Sequence, residues 1–414
     1  MPGETLRILN GGSAAMDLKS GYPYWAVKNG LMQAFPRLEA EAACEVAVVG
    51  GGITGALIAC ELAAHGIDVV VAEQRDIGWG STAASTAMLQ YEIDTHLGDL
   101  AKRYGEADAA LAYRACAQAI DALDGLARAL GDVDFSRCDS LYYASRPWHR
   151  GTLEDECALR ERHGLPVEWL PREAVQAGYG IDAPGAILSR TGARVDPYRF
   201  AHRLLERLSR QGVRIFDRTT VEAMEAGTRG VRLRTGDGAT LRAGHVVLAA
   251  GYANQHWLAR KVARNASSYA YVTDPLPDGA LGPWAHTLLW ESARPYLYLR
   301  GTGDGRLVVG GEDDAHDIPA RRDRRVPAKV KRLRKRIAKL LPQLDAEPAF
   351  SWAGTFAETE DGLPFFGATP QWGPRVLFAM AYGGNGITYS AIGARLLRMG
   401  LQGRPHPLAG LFGF

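Results

Sequence analysis

The chain has 414 residues, 47% of them apolar, and a formal net charge of +2. That length supports two or three domains with large buried cores, and no window approaches the roughly 18 uncharged apolar residues of a membrane span. The near-neutral balance and the lack of an RNA- or DNA-binding pattern argue against a nucleic-acid partner. Five cysteines without a CxxC pair leave neither a disulfide framework nor a zinc site, and no other metal site is indicated. Residues 1–20 lack the basic start and apolar run of a secretory signal, which predicts a cytoplasmic protein.

The first strong signal is Glu45-Val46-Ala47-Val48-Val49 running into Gly50-Gly51-Gly52-Ile53-Thr54-Gly55. The pattern predicts a strand, a glycine turn and a helix built to hold a dinucleotide. Gly50 turns the chain, Gly52 admits a pyrophosphate, and Gly55 brings the helix close to the strand. Phosphates then meet the N–H groups at the helix start, those of Ile53 and Thr54 among them. Leu57, Ile58 and Leu62 keep an apolar stripe, Gly66 ends the helix, and residues 68–72 form the next strand. Glu73 follows where a carboxylate accepts hydrogen bonds from ribose hydroxyls, with Gln74 beside it.

Residues 96–130 read as a long alanine-rich helical pair, and residues 141–145 and 167–170 as strands with a helix between. Pro197 opens a helix that stops near Gly212. Closely spaced β-like runs follow at 213–216, 220–224, 231–234 and 246–249, the last entering the turn Ala249-Ala250-Gly251. A β-rich block at 269–311 leads to residues 321–339, where eleven Lys and Arg face the single acid Asp323. From Pro327 this segment reads as an amphipathic helix, with Val330, Leu333, Ile337, Leu340 and Leu341 on one side and a basic outer face. A solvated helix covering a sheet is the plain reading; contact with nucleic acid or an anionic membrane is the alternative. Strands at 349–356 and 376–380 and a helix from Asn385 to Gly400 close the chain.

Three separated glycine turns, at Gly50 to Gly55, at Gly251 and at Tyr382-Gly383-Gly384-Asn385-Gly386-Ile387, together resemble the D-amino-acid oxidase superfamily of FAD-dependent amine and amino-acid oxidoreductases. Gly78-Trp79-Gly80-Ser81-Thr82-Ala83-Ala84-Ser85-Thr86 resembles the second flavin-contacting segment of that family, through Ser81, Thr82, Ser85 and Thr86. Thr220-Val221 resembles the position whose backbone meets adenine, and Asp361-Gly362-Leu363-Pro364 the signature before the final strand. The resemblance implies an α/β fold: a Rossmann-like FAD-binding domain with an inserted antiparallel-sheet substrate domain. It divides the chain into 1–95, 191–266 and 349–414 for FAD, and 96–190 and 267–348 for substrate. It also implies that Ala250 and Gly251 lie under the nucleotide. The final loop, with Gly383, Gly384, Asn385, Gly386, Ile387 and Thr388, then offers N–H groups to the flavin pyrimidine, whose reduced form carries negative charge that a helix dipole favours.

Departures from the family narrow the substrate. Phe356 and Gly384 stand where glycine-oxidase-like members carry carboxylate-binding arginines. Gly354 and Thr388 stand where sarcosine-oxidase-like members carry a flavin-tethering cysteine and a lysine. No lysine occurs between Lys261 and Lys329, so the oxygen-activating lysine of those members is missing too. These absences imply non-covalent FAD and an amine rather than a simple α-amino acid, since a lost charge-assisted pair is worth about 1.5–3 kcal/mol. With the leader Tyr22-Pro23-Tyr24-Trp25, the pattern resembles the gamma-glutamylputrescine-oxidase-like branch.

Period-two alternation puts Tyr296, Tyr298 and Arg300 on one face of a strand, either as a substrate wall or as a polar face toward solvent. Phe356 and Glu358 share another face. Met88 joins the substrate candidates, and Trp290, Tyr382 and Tyr389 are candidates for an aromatic cage around a cation. The resemblance implies hydride transfer from the carbon beside nitrogen to flavin N5, without an obligatory acid or base and with O2 as acceptor. His286 is the one catalytic candidate, as a positive charge for oxygen reduction, with a structural role as its alternative. A flavin dehydrogenase or biosynthetic oxidase acting on an amino-acid-derived intermediate stays open. So does a non-enzymatic binding protein using the basic helix 321–339. The sequence does not specify an oligomeric state.

Overall fold

A computed structural model describes residues 6–9 and 17–414. The valine-rich strands Ala42–Val49 and Val69–Ala72 lie parallel, with Val46 opposite Val69 and Val49 opposite Ala72. Residues 46–49 and 69–72 are apolar throughout, and such parallel stretches need cover on both faces. Val46, Val48, Val69 and Val71 pack with Leu57, Ile58 and Leu62 of the helix Ile53–Ala63. Ala47, Val49 and Val70 face the opposite way, onto Met224, Leu233 and Val246. Arg214–Phe216, Thr240–Leu248 and Gly373–Met380 extend the parallel set, and the helices Pro197–Arg210 and Gly386–Leu401 pack on either side of Ile53–Ala63.

Thr240–Leu248 changes partner along its length. Its first half pairs antiparallel with Val231–Thr235, while Val246, Val247 and Leu248 pair parallel with Val376, Leu377 and Phe378. This fork lets one sheet carry both a parallel nucleotide layer and the meander that continues through Val221–Ala226. The alanine-rich region is the helical pair Leu97–Tyr104 and Glu106–Leu130, broken at Gly105, whose φ of 87° lies in the left-handed region.

The second sheet is mostly antiparallel. Its strands run, edge to edge, Phe350–Glu358, Arg264–Val272, Leu307–Asp314, Leu297–Gly301, Thr287–Glu291, Ser136–Tyr143, Gly185–Arg194 and Met88–Gln90. On one face Tyr269, Tyr271, Leu297, Leu299 and Val309 pack under Val326, Val330, Leu333 and Ile337 of the basic helix. The alternate residues Ser268, Ala270, Tyr296 and Tyr298 face a cavity between the sheets. Phe350–Glu358 pairs along its whole length with Arg264–Val272, and Ala353 enters the core of that sheet. Residues 349–414 are therefore split between the two sheets rather than kept with the parallel one. The limits at 190 and 266 likewise fall inside Gly185–Arg194 and Arg264–Val272.

The basic helix spans Pro319–Leu340, starting before Pro327 rather than at it. Pro327 is exposed, where it removes one backbone hydrogen bond. The preceding turns are held by buried Arg322, which donates to the carbonyl of Asp17 and to Thr355 Oγ1, both at 3.0 Å. Much of the charge on the sheet-facing side is neutralised internally. Arg325 and Lys329 pair with Asp314 at 2.8 and 2.9 Å, and Arg336 pairs with Glu291 and Glu312. Among the described residues no helix is long and apolar enough to cross a membrane.

Candidate active site

The cavity between the sheets has a volume of about 600 Å³ and runs from the first glycine turn to the face of the second sheet. At its nucleotide end, Gly50 has φ +119°, and a Cβ there would stand 2.4 Å from the Ala249 carbonyl oxygen. Gly55 does not line the cavity; a Cβ there would lie 1.9 Å from the Gly50 carbonyl oxygen, so its absence sets the close contact of helix and strand. Gly50, Gly52, Ile53 and Thr54 line the wall. The Ile53 N–H is already taken by Thr82 Oγ1 at 3.0 Å, and Thr54 Oγ1 meets Ser390 Oγ at 2.8 Å. The second segment thus caps the first helix, and the Ile53 N–H is not free for phosphate as the sequence pattern predicts.

Glu73 accepts hydrogen bonds from the backbone N–H groups of Gly51 at 2.7 Å and Arg75 at 2.8 Å. Burial raises its carboxyl above the usual range, and those two N–H groups pull it back down. Gln74, Val221, Ala250 and Gly251 complete this end. Asn254, missed in the sequence, is fully buried and fixes the second turn. Its Oδ1 accepts from Ala250 N at 3.0 Å, and its Nδ2 donates to the carbonyls of Leu248 and Ala379.

Ser81, Thr82, Ser85, Thr86 and Met88 form the middle of the wall. Three long side chains grip the carbonyls of this segment from behind. Trp352 Nε1 reaches Ala84 at 2.8 Å, Trp25 Nε1 reaches Ser85 at 2.7 Å, and Arg300 Nε reaches Thr86 at 2.6 Å. Arg300 is therefore not a substrate wall. It is fully buried, its other nitrogens donate to the carbonyls of Gly301 and Val195, and burial lowers its guanidinium to about 10. Alternation gave the correct face, but Arg300 lies beyond the end of the cavity. Gly354 has a local reason as well: a Cβ there would lie 2.9 Å from Ala84 Cβ.

Gly383, Gly384, Asn385, Gly386 and Ile387 line the far end at the start of the helix Gly386–Leu401. The backbone N–H of Gly384 donates to Asp94 Oδ2 at 2.9 Å, and Asn385 Nδ2 donates to the Glu92 carbonyl. Thr388 stays behind the wall, its hydroxyl on the Gln90 carbonyl at 3.1 Å. Tyr296, Tyr298, Phe356 and Trp290 face the cavity, and Trp290 stacks on Tyr142 with ring centroids 3.6 Å apart. The cage of Trp290, Tyr382 and Tyr389 does not assemble. Tyr382 is buried with its hydroxyl on the Gly251 carbonyl, and Tyr389 is buried with its hydroxyl on that of Gly362. His286 is exposed and off the cavity; its carbonyl accepts from Asp139 N at 2.9 Å and its N–H donates to the Pro283 carbonyl at 3.2 Å.

The sequence reading also missed Glu92, Asp94 and Asp313, which line the substrate end beside Glu358. Gln90, Glu92 and Asp94 follow period-two spacing away from Met88–Gln90, the one signal that placed them together. Burial raises the Asp313 carboxyl to about 7, with neighbouring Glu358 and Asp94 adding to the rise. Among the described residues no group of His, Cys, Asp or Glu is arranged to hold a metal ion.

A profile of DAO, described as FAD dependent oxidoreductase, matches residues 45–398. The chain belongs to the DAO family. It is 26% identical over 399 residues to gamma-glutamylputrescine oxidoreductase of Escherichia coli (strain K12), covering 92% of this chain and 88% of that protein. It is 29% identical over 369 residues to glycine oxidase of Geobacillus kaustophilus (strain HTA426), covering 84% and 90%. Among solved structures, glycine oxidase from Geobacillus kaustophilus superposes with a TM-score of 0.74 at 22% identity, covering 89% of this chain and 98% of that one. L-proline dehydrogenase from P.horikoshii superposes at 0.75 and 18%, covering 89% and 96%.

As a DAO-family FAD-dependent oxidoreductase, the chain has a cavity that suits its cofactor. The helices Ile53–Ala63 and Gly386–Leu401 both open their N-termini onto it, and helix N-termini favour negatively charged groups such as the phosphates of FAD. Ser81 Oγ and Gln90 Nε2 are buried on its wall without a protein partner. Such orphaned polar atoms are costly unless a bound group satisfies them. None of the five free cysteines lines the cavity.

Proposed function

We propose that this protein oxidises a C–N bond of an amine that lacks a free α-carboxylate, with O2 as electron acceptor and FAD held non-covalently. FAD supplies the two-electron acceptor for the C–H bond beside nitrogen. The observation that carries the substrate reading is the make-up of the far wall. Trp290, Tyr296, Tyr298 and Phe356 stand with Glu92, Asp94, Asp313 and Glu358, and the one Lys or Arg among the lining residues, Arg75, belongs to the nucleotide end beside Glu73. Among the described residues no Lys or Arg lines that wall to pair with an α-carboxylate, and its acids disfavour one. The residues of that wall bind and orient. The rings exclude water from the reacting carbon, and the tyrosine hydroxyls offer hydrogen bonds to a nitrogen that must be neutral to react. The resulting iminium hydrolyses in water to a carbonyl compound and ammonia or an amine.

The residue roles follow the same reading. Glu73 is assigned to the ribose, Ser81 to the phosphates, the loop Gly383 to Ile387 to the flavin pyrimidine, and the second sheet to the substrate side. The relatives' names support the choice of an amine-type substrate, since they include an oxidoreductase of gamma-glutamylputrescine and oxidases of glycine. An anaerobic titration of the yellow holoenzyme with amines and with matched α-amino acids tests the reading, followed by admission of air. Bleaching by amines with rapid reoxidation is the expected result. Faster bleaching by glycine or sarcosine than by any amine without a carboxylate would reverse it.

A further inference from the structure

Gly384 and Phe356 stand among carboxylates at the far end of the cavity. A Cβ on Gly384 would lie 3.2 Å from both carboxylate oxygens of Asp94, and Glu358 shares the strand face of Phe356 at the cavity. Asp313 enters from a second strand, Leu307–Asp314. Its Oδ1 is buried on the wall without a hydrogen-bond partner, and so is Oε2 of Glu92, a residue only 4% exposed. Two cations act on these acids from outside the cavity lining, Arg160 on Glu92 and Arg294 on Asp313 and Glu358. Arg160, behind Glu92, is tied to Glu156 at 2.8 Å. Arg294 is exposed and off the cavity, with its guanidinium over the Tyr296 ring at 3.7 Å and donating to the Asp94 carbonyl at 3.1 Å. Buried carboxyl oxygens without a partner are costly, and grouping several makes each costlier unless a cation joins them.

We propose that this acidic pocket holds a second positively charged group of the substrate. The molecule oxidised is then a diamine or polyamine, with one nitrogen at the flavin and another ammonium among Asp94, Asp313 and Glu358. The inference rests on the amine reading above and adds to it the charge at the substrate's other end. Tyr296, whose hydroxyl lies 3.5 Å from Asp94 Oδ1, stands between the acids and the aromatic wall. An alkyl chain between two nitrogens would lie against Tyr296, Tyr298 and Trp290, while each end meets polar atoms.

The test uses the FAD-loaded enzyme under anaerobic conditions, with a series of α,ω-diaminoalkanes and the 1-aminoalkanes of matching length. Binding is read by calorimetry and by perturbation of the visible flavin spectrum, and oxidation separately by bleaching. The best diamine is expected to bind at least about tenfold more tightly than its monoamine, as a charge-assisted contact in a partly dry site requires. Asp313→Asn and Glu358→Gln, each checked for an unaltered resting flavin spectrum, are expected to reduce that ratio toward one. Equal affinities for diamine and monoamine overturn the proposal. So do variants that weaken both ligands alike, and so does an absence of diamine binding. Tight diamine binding without bleaching upholds the second cation site while refuting amine oxidation; bleaching without a diamine preference does the opposite.

Discussion

Arg300 in the second sheet donates its Nε proton to the carbonyl of Thr86 at 2.6 Å, joining a strand of one sheet to the segment that lines the other side of the cofactor cavity. Two further donations, to Gly301 at 3.1 Å and Val195 at 3.0 Å, and the Trp25 ring 5.0 Å away enclose the guanidinium. It acts as a strut. Arg300→Met keeps much of the side-chain volume but strands three carbonyls, two or more of them away from water. A loss of about 3 kcal/mol or more is expected, with flavin released at lower temperature. Differential scanning of the holoenzyme, read by flavin fluorescence, checks it; a change in amine KM with unaltered flavin release would return Arg300 to the substrate.

Glu73 ties the glycine turn to the next loop through Gly51 and Arg75, and in the proposed assignment its remaining lone pairs meet the ribose. Glu73→Gln should keep the size of the group but lose charge-assisted acceptance, weakening FAD affinity by about tenfold or more. Equilibrium titration of deflavinated protein, followed by quenching of flavin fluorescence, gives the constant.

The absence of a tether at Gly354 has a packing cause, because the Ala84 methyl occupies the space that a side chain would need. Acid precipitation is therefore expected to leave all flavin in the supernatant. Gly354→Ala is expected to push the 84–86 segment by a few tenths of an ångström and to weaken FAD binding. Flavin that stays with the precipitated polypeptide would show that another residue forms the bond.

The glycine-turn end of the cavity was legible because much of its geometry is local. Gly50 turns at a φ of +119° and Glu73 follows one strand later to accept from Gly51, both within a short stretch of sequence, while the Ala249 carbonyl that closes on Gly50 comes from far along the chain. The substrate half was legible only as faces. Alternation put Tyr296 and Tyr298 together and placed Glu358 beside Phe356, but could not say that Arg300 had already passed the end of the cavity. Asp313 was hidden for a different reason. Gly311 and Glu312 adopt φ of +132° and +57°, and this irregularity reverses the alternation established by Leu307 and Val309, so that Asp313 faces the cavity instead of the core. Asp94 lies beyond the end of Met88–Gln90, and only the docking of the final glycine loop brings it to Gly384.

Asp313 also gives the protein a pH dependence whose sign can be stated. Burial raises its carboxyl from 3.8 to about 7, Glu358 and Asp94 add to the rise, and Ser268 and Arg294 oppose it. A carboxyl raised in the folded state holds its proton more tightly there than in the unfolded chain. Its contribution to stability is fully present below about pH 4 and is lost as pH rises through about 7. The loss amounts to about 4 kcal/mol at most, and to less where water reaches the group. Asp313→Asn keeps the shape and removes the titration, so its stability relative to the parent should grow between pH 5 and about pH 8 and then level off. Thermal unfolding of both holoproteins across that range checks this, and parallel curves would exclude it. A diamine present at saturation pairs with the ionised carboxyl. It should therefore stabilise the parent more at pH 8 than at pH 5, and do so less in the variant.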